Sequence, residues 1–312
     1  MTLPADPATP TPLVVWIISD GKPGHLNQSR GLADALTRLI PTDIHVLPAA
    51  SRWRAGLNML LGRAPAQEAP HPALILGAGH ATHLSLLAAR RATGSPVAVL
   101  MKPSLPRRWF DFLIVPAHDQ MEADARTFVS QGALNSITPV LSPNPARAQR
   151  GLILVGGESR HFEWNCDAVA TQIRSVLART PEMRWTLTTS RRTPDDFVSR
   201  LPHFDTLEVV PHTATSPDWL PARLAESGTV WVTPDSVSMV TEALTAGADV
   251  GVFDLPVNPK SRVGWAVAEL ADAHRITRFI QWCAHGTLYP NTVPLAEADR
   301  CANWILACLK RN

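Results

Sequence analysis

The sequence lacks an apolar run near its N-terminus that is long enough to cross a bilayer. Residues 13–18 form the longest one there, far short of the ~20 residues that a membrane-spanning helix needs. The first twelve residues hold four prolines and no apolar stretch, unlike a secretory or transit peptide. We therefore expect a soluble or at most peripheral protein, with a disordered leader at residues 1–12.

Cysteine is scarce, and its spacing excludes the common zinc and redox motifs. The four cysteines are Cys166, Cys283, Cys301 and Cys308. They form no C-x-x-C pair, and no Cys/His cluster has the spacing of a zinc site. This usage favours a reduced, cytoplasmic compartment.

Charge of one sign is not in excess. Lys and Arg total 29 against 27 for Asp and Glu. This balance argues against a protein that coats nucleic acid, although a pI of about 8.5 allows a local basic patch. With 45% hydrophobic residues the chain can bury a core. Its 312 residues suggest about two domains.

Several signature motifs are also missing. The absence of G-x-x-x-x-G-K-[ST] excludes a P-loop kinase or NTPase. The absence of G-x-S-x-G excludes an ordinary α/β-hydrolase. Neither H-E-x-x-H nor D-x-D occurs, which argues against a zinc peptidase and against a metal–nucleotide-sugar site of that type. We expect no metal and no bound cofactor.

Short apolar runs alternate with helical periodicity, the pattern of parallel sheets covered by helices. The predicted strands of the first half are 13–18, 44–47, 74–76, 97–100 and 112–115, and its helices are 25–39, 80–91 and 119–130. The predicted strands of the second half are 152–155, 185–188, 207–210, 230–232 and 250–253, and its helices are 164–177, 194–201, 218–226, 236–246, 263–270 and 295–309.

The series is interrupted once. Residues 138–150 hold three prolines and no hydrophobic period, which predicts an interdomain linker. The sequence thus predicts an α/β protein with two Rossmann-like domains, 1–140 and 151–294. The C-terminal helix, 295–312, is a candidate for packing back onto the first.

The loop at 19–28, Ser-Asp-Gly-Lys-Pro-Gly-His-Leu-Asn-Gln, follows the first strand. Its two glycines and its proline favour a tight turn into the helix. His25 at the helix start could act as a general base, since imidazole titrates near neutrality. The alternative is a helix-capping loop with a structural histidine.

A second loop, 77–83, resembles a truncated dinucleotide-binding fingerprint. It lacks the third glycine, and no acid occurs between His80 and Phe110, so the pattern argues only weakly for NAD. His80 and His83 fit a packed or polar pair better than a pair of metal ligands.

Two loops of the second half suit phosphate. Glycines at Gly156 and Gly157 would let the backbone approach an anion. Ser190, Arg191 and Arg192 follow the next strand, and arginine can clamp phosphate bidentately. The alternative is a solvated arginine pair that caps a helix.

The segment 233–243 reads as a strand end, a hydroxyl-rich cap and a helix. Free N–H groups at such a helix start suit a diphosphate. Asp235, Met239 and Glu242 are predicted to share one helix face, on which a carboxylate could hold a ribose. The alternative is a capped core helix with an exposed Glu242, in which Ser236 is only a cap.

Together these stretches resemble the mitochondrial-fission ELM family, bacterial and plant proteins regarded as glycosyltransferases. The matching segments are 19–28 (SDGKPGHLNQ), 101–103, 110–111, 116–119, 156–164 (GGESRHFEW), 189–194 (TSRRTP) and 235–243 (DSVSMVTEA). They run in the family's order along nearly the whole chain. Glu158 and Ala117 depart from the family's usual residues without removing a proposed site group.

The resemblance implies a GT-B fold, with two Rossmann-like domains facing across a cleft. The layout is similar to that of the bacterial transferase that adds N-acetylglucosamine to a lipid-linked peptidoglycan precursor. It implies that residues 1–140 form the acceptor side and 151–294 bind a nucleotide sugar. The implied acceptor loop comprises Gly21, Lys22, Gly24, Asn27 and Gln28. Glu242 is implied to hold the donor ribose.

On this basis we expect a metal-independent glycosyltransferase that uses a nucleotide-diphospho-sugar. His25, or less favourably Asp20, would take the acceptor proton. The expected residues that bind the donor nucleotide or its phosphates are Gly156, Gly157, Ser190, Arg191, Arg192, Asp235, Ser236, Ser238 and Met239, together with Glu242. The acceptor would be an envelope saccharide or a lipid-linked one. The alternatives are a membrane-associated scaffold without activity, suggested by the plant relatives' link to organelle division, and a sugar-nucleotide epimerase.

The segment 51–63 combines three arginines with an apolar helical face of Trp53, Leu57, Leu60 and Leu61. Such a helix can dock on an anionic lipid surface. The alternative is that this face packs on the first sheet. Arg107 and Arg108, beside Trp109, could extend the basic patch. The sequence therefore allows peripheral contact with the inner membrane.

Overall fold

The computed structural model describes residues 11–63, 68–140, 144–201 and 203–311. The chain divides into two compact units. The first comprises the chain up to Ser136 together with the segment from Glu297 onward, and the second comprises Ile137–Ala296. Residues 1–10 of the predicted leader lie outside the described residues.

The first unit is a six-stranded sheet with helices on both faces. Its strands are β1 (Leu13–Ser19), β2 (Thr42–Pro48), β3 (Leu74–Ala78), β4 (Val97–Leu100), β5 (Phe112–Pro116) and β6 (Thr127–Ser130). Its first three helices are α1 (Pro23–Leu39), α2 (Arg52–Leu61) and α3 (His83–Thr93).

All strand pairs of this sheet are parallel, in the order β2-β1-β3-β4-β5-β6. Side chains of β1 alternate between the two faces: Val15 and Ile17 enter one core cluster, and Trp16 and Ile18 enter the other. The direction of winding reverses between β1 and β3. Open α/β sheets bind ligands beyond the strand ends at such a reversal.

The second unit is also a six-stranded parallel sheet. Its strands are β7 (Arg150–Leu154), β8 (Arg184–Thr188), β9 (Leu207–Val210), β10 (Thr229–Val232), β11 (Asp249–Val252) and β12 (Thr277–Arg278). Its helices are α4 (Cys166–Arg179), α5 (Trp219–Glu226), α6 (Val237–Thr245), α7 (Arg262–Asp272) and α8 (Phe279–His285). The order β12-β11-β10-β7-β8-β9 is the Rossmann order, and it reverses between β7 and β10.

The last helix, α9 (Glu297–Leu309), belongs to the first unit. It buries mostly small side chains against the first sheet, among them Cys301, Ala302 and Ile305. Arg38 of α1 bonds Asp299 at 2.5 Å. Burial raises the pKa of the Cys301 thiol well above its ordinary value. All four cysteines are free thiols.

The predicted linker at 138–150 is not a separate connection, because the second unit already begins at Ile137 and Arg147 is buried in it. Ile137, just before it, is buried in that unit's core. The guanidinium of Arg147 is buried and donates to the carbonyl oxygens of Ser227 at 2.8 Å and Ala246 at 3.1 Å. Arg147 therefore anchors this part of the chain to the second unit.

Two predicted helices are also wrong. Gln120 adopts a left-handed φ of 52° and ends a short turn, after which the β-branched run at Thr127–Ser130 pairs with β5 as β6. The helix predicted at 194–201 is a pair of tight turns and a 3-10 segment, Val198–Arg200, anchored by buried Phe197. Helix α8 was not predicted.

Helix α2 keeps its large apolar side chains out of the core. Trp53, Leu57, Leu60 and Leu61 are all exposed, while Ala55 is buried. The alternative that this face packs on the first sheet is therefore wrong. Among the described helices, none combines the length and apolarity needed to cross a bilayer.

Candidate functional site

A carboxylate–imidazole pair lies where β1 ends and α1 begins. Asp20 Oδ2 lies 2.9 Å from His25 Nδ1, and Asp20 Oδ1 accepts from the Lys22 N–H at 3.2 Å. Burial raises the pKa of Asp20, but the hydrogen bonds from Lys22 and His25 outweigh it and lower that pKa overall. An ionised Asp20 favours the proton on Nδ1, which leaves Nε2 free to accept one.

Gly79, directly after β3, leaves the space that the His25 ring occupies. Its φ of 81° and ψ of 156° lie in a region that is essentially restricted to glycine. A Cβ at Gly79 would lie 2.3 Å from His25 Cε1. The loops after β1 and β3 therefore meet at the reversal point of the first sheet, with His25 between them.

Alanine at Gly79 should destabilise the first unit by roughly 2–4 kcal/mol, because it adds a backbone penalty and a steric clash. Gly286, at the end of α8, has a φ of 78° and open space around its missing Cβ. Gly286→Ala should therefore cost only about 1 kcal/mol. Urea denaturation of both variants checks this, and equal losses would contradict the placement of the His25 ring against Gly79.

Three predicted acceptor-loop residues border solvent. Gly21 has a φ of 80° and donates its N–H to Ser19 Oγ at 3.1 Å. Lys22 is exposed, with its Nζ 3.8 Å from Asp20 Oδ2. Gly24 has open space where a Cβ would stand. These residues leave the start of α1 uncovered within the first unit.

The other two predicted acceptor-loop residues lie further along α1. Asn27 Oδ1 accepts from the Ser136 hydroxyl at 2.8 Å, so its side chain joins α1 to the end of the unit's main segment. Gln28 is half-buried. Asn27 therefore has a structural partner inside the first unit.

The histidines of the 77–83 loop are a packed and an exposed residue. His83 is buried, its Nδ1 lies 3.2 Å from Ser104 Oγ, and its ring meets Phe110 edge-on. Burial, assisted by the charge of His80, lowers the pKa of His83. Among the described residues, no group of three or more His, Cys, Asp or Glu is placed to hold a metal ion.

In the second unit, the glycine pair after β7 is required by packing. A Cβ at Gly156 would lie 2.2 Å from Asp235 Oδ2, and one at Gly157 would lie 1.9 Å from the Arg192 carbonyl oxygen. The Gly156 N–H donates to Thr233 Oγ1 at 2.7 Å. The Gly156 amide is therefore used inside the unit, and the role of the two glycines in a ligand's approach stays a prediction.

Asp235 and Arg192 fasten the loops after β7, β8 and β10 together. Arg192 Nη2 lies 2.6 Å from Asp235 Oδ2, which also accepts from the Gly157 N–H at 3.1 Å. Arg192 Nη1 donates to the Glu158 carbonyl oxygen at 3.2 Å. The Asp235 side chain is fully buried, whereas that of Arg192 is 43% exposed. Asp235 lies before α6, so it does not share a helix face with Met239 and Glu242.

Arg192→Gln should lower the free energy of unfolding by about 1–3 kcal/mol, since it leaves the buried Asp235 carboxylate without its cation. Adding Asp235→Asn should restore much of the loss, because the amide is neutral and its oxygen can still accept from Gly157. Arg191→Gln should stay within about 0.5 kcal/mol of the wild type, as exposed substitutions usually do. Urea denaturation measures all three, and an additive double variant would argue against the ion pair.

The remaining predicted donor residues take different positions. Ser190 Oγ accepts from the Arg192 N–H at 3.1 Å and so shapes the turn after β8. Arg191 points to solvent. Ser236 occupies the N-cap position of α6 without a side-chain cap bond, and Ser238 is exposed.

Two predicted donor residues on α6 face protein. Met239 packs against the core of the second unit. Glu242 is buried, with 8% of its surface exposed, so the alternative of an exposed Glu242 is wrong. The structure therefore places Glu242 within α6 as a buried carboxylate.

A cationic cluster lies beside the glycine pair, and we call it the His161 cluster: Arg160, His161, Arg192 and Arg262. Of its members only Arg192 was predicted from the sequence as a site residue. His161 Nδ1 lies 3.0 Å from Ser261 Oγ, and Arg160 Nε lies 3.4 Å from His161 Nε2. Burial, followed by the charges of the three arginines, lowers the pKa of His161. Burial and the surrounding positive charge thus both favour the neutral form of the ring.

Ser261 ties the His161 cluster to the start of α7. Its Oγ accepts from the Gly264 N–H at 2.8 Å and caps the helix, whose positive end adds to the local field. The Asn258 N–H donates to the His161 carbonyl oxygen at 2.9 Å. The signal in the sequence was N-P-K-S-R at 258–262, two cations and a capping hydroxyl directly before a helix.

The chain belongs to the mitochondrial fission ELM1 family, whose model matches residues 23–309. This confirms the predicted family. One relative is the uncharacterized protein RP120 of Rickettsia prowazekii (strain Madrid E). It is 24% identical, and the match covers 96% of this chain and 99% of that protein.

The fold is that of GT-B glycosyltransferases and epimerases. A Listeria monocytogenes protein assigned as a UDP-N-acetylglucosamine 2-epimerase is similar, with a TM-score of 0.63 and 12% identity over 96% of both chains. Acinetobacter baumannii MurG is similar, with a TM-score of 0.55 and 12% identity over 96% of this chain and 100% of that one. The predicted class, two Rossmann-like units of the GT-B type, is confirmed.

Proposed function

We propose that this protein is a metal-independent glycosyltransferase that takes its sugar from a nucleotide-diphospho-sugar. The observation that carries the proposal is the chemistry at the two reversal points. The second unit places the His161 cluster beside the loop after β7. The first unit places a carboxylate-oriented imidazole beside the loop after β1.

The second unit would bind the donor. Its arginines and the N-terminal end of α7 carry the positive charge that a diphosphate leaving group needs, which is the role a metal ion fills elsewhere. Arg192 would also bind the diphosphate, by exchanging its contact with Asp235 for a contact with a phosphate oxygen. The family resemblance assigns the ribose to Glu242, whose burial would let it accept hydroxyl hydrogen bonds away from water.

The first unit would supply the base. An acceptor hydroxyl attacks the anomeric carbon of the sugar, its proton passes to His25 Nε2, and the bond from that carbon to the diphosphate oxygen breaks. Asp20 stabilises the imidazolium that forms. The nucleoside diphosphate leaves with the bonding electrons, so the atoms and charges balance.

We propose an envelope saccharide or a lipid-linked saccharide as acceptor. Either substrate is consistent with a protein in peripheral contact with the inner membrane and with the donor supplied from the cytoplasm. This part of the proposal rests on the family resemblance and on the exposed apolar face of α2.

A panel of nucleotide sugars tests the donor assignment. Titration calorimetry should show saturable binding of at least one nucleotide sugar and of its nucleoside diphosphate. Glu242→Gln keeps the side chain's shape. It should weaken the binding of the nucleotide ligands by about 1–3 kcal/mol without lowering the protein's melting temperature much. Interconversion of the sugar without any acceptor would instead indicate an epimerase, and no binding by any nucleotide would favour a scaffold.

A further inference from the structure

Helix α2 and the surface beside it form a patch that an ordinary protein surface would not carry. The exposed fraction is 71% for Trp53 and 73% for Leu60, with Leu57 and Leu61 also exposed. These four side chains recur at spacings of three and four, so they share one face of the helix. A face of this kind is typical of a surface that meets a partner or a membrane.

A groove lies next to this face, in the same unit. It has a volume of about 740 Å³ and an apolar floor that includes Met59 of α2 and Leu84 and Leu87 of α3. Trp109 and the arginines Arg91 and Arg108 border it. A groove of this size can hold an acyl chain or another apolar ligand of similar volume.

The charge around the face and the groove is strongly positive. Residues 43–111 contain eight Lys or Arg and three acids, Asp43, Glu68 and Asp111, the last of which also lines the groove, whereas the whole chain is nearly neutral. Arg90 is paired with Asp111 through two bonds of 2.7 and 2.8 Å. Within the described ranges, no such carboxylate pair forms at five other arginines: Arg52, Arg54, Arg63, Arg91 and Arg108.

We propose that this patch docks on an anionic phospholipid bilayer. Trp53, Leu57, Leu60 and Leu61 would enter the acyl boundary, the unpaired arginines would meet the lipid phosphates, and the groove would hold an acyl chain of the same surface. The charge decides between occupants, because an apolar protein partner would leave these arginines unmatched. The inference rests on the proposed membrane contact and not on the transfer reaction.

Co-sedimentation of the full chain with vesicles tests the proposal. Vesicles of phosphatidylcholine with phosphatidylglycerol should bind the protein at low salt, and vesicles of phosphatidylcholine alone should bind it much less. High salt should weaken binding, because it screens the arginines. Arg52→Gln with Arg54→Gln should weaken it about fivefold per arginine removed.

The apolar side of the contact has a matched control. Trp53→Asp with Leu60→Asp should lower vesicle affinity about tenfold or more, since both side chains would leave the acyl boundary. Ile280→Asp alters a comparably exposed side chain, 66% exposed on α8 of the second unit. It should leave vesicle affinity unchanged. If the aspartate pair unfolds, Trp53→Ala with Leu60→Ala replaces it.

Three outcomes would overturn the proposal. The protein could stay in the supernatant with anionic vesicles at low salt, or the patch variants could bind as the wild type does. The wild type could also be a dimer in solution that the patch variants convert to a monomer, without binding to vesicles, in which case a second copy covers the face. Nucleotide-sugar binding is measured separately, so failure here leaves the donor assignment standing.

Discussion

Replacing His25 with alanine should slow sugar transfer on the order of 10²–10⁴-fold, the usual contribution of a general base. Affinity for the nucleotide sugar should not change, because the proposed donor groups all lie in the second unit. Release of nucleoside diphosphate in the presence of acceptor measures the rate, and titration calorimetry measures the affinity. The reason is geometric, since Asp20 occupies Nδ1 at 2.9 Å and leaves Nε2 for the proton.

Asp20→Asn should act in the same direction as the loss of His25. The amide can present its N–H to Nδ1, which favours the tautomer with the proton on Nε2, and it removes the charge that stabilises the imidazolium. Burial of the Asp20 side chain, 5% exposed, makes water a poor substitute for that charge.

The first unit offers a matched control. His45 Nε2 lies 2.9 Å from Asp43 Oδ2 on β2, an equivalent pair of groups on the surface and away from the reversal point. His45→Ala should leave transfer unchanged. Equal losses at His25 and His45, or a His25 variant with full activity, would contradict the role of His25 as base.

Arg160→Gln with Arg262→Gln should weaken binding of a nucleoside diphosphate by about 10- to 100-fold, since each charge-assisted contact contributes about 1.5–3 kcal/mol and the site is partly exposed. The affinity for the corresponding nucleoside should change little, because guanidinium groups contact phosphate and not the base. Calorimetry with both ligands measures the two effects separately.

The control for this pair of substitutions makes the same change in net charge at another place in the second unit. Arg174 of α4 and Arg184, at the opposite end of β8 from the His161 cluster, are both exposed in the same unit. Arg174→Gln with Arg184→Gln should leave nucleoside diphosphate affinity nearly intact. If both double variants lose affinity equally, the effect is one of net charge and the His161 cluster is not the phosphate site.

The strands and their loops were predictable because parallel strands are buried on both faces and read as continuous apolar runs. Strand β1 and the loop that carries Asp20 and His25 follow from that pattern. The helix predicted at residues 119–130 was wrong because β6, the strand that forms there, is only four residues long and lies at the sheet edge. Short edge strands carry too little pattern to compete with helical spacing.

The site could be predicted only as far as the loops. Sequence placed Asp235 on a helix face, but three-dimensional packing makes it the anchor of Arg192 and of the glycine pair. His161 and Ser261 are a hundred residues apart in sequence, so no local spacing reveals their bond. The sequence also could not decide whether the apolar face of α2 meets the core or solvent, because amphipathic spacing does not say which side of a helix is buried.

The most direct test follows a labelled sugar. Each nucleotide sugar that binds is supplied with the label on its sugar, together with lipid and saccharide fractions of a bacterial envelope. We predict that label moves from the donor to an acceptor with wild-type protein and that nucleoside diphosphate is released in equal amount. His25→Ala should abolish most of both. Label that stays on the donor with every fraction, while the donor binds saturably, would contradict sugar transfer as the function.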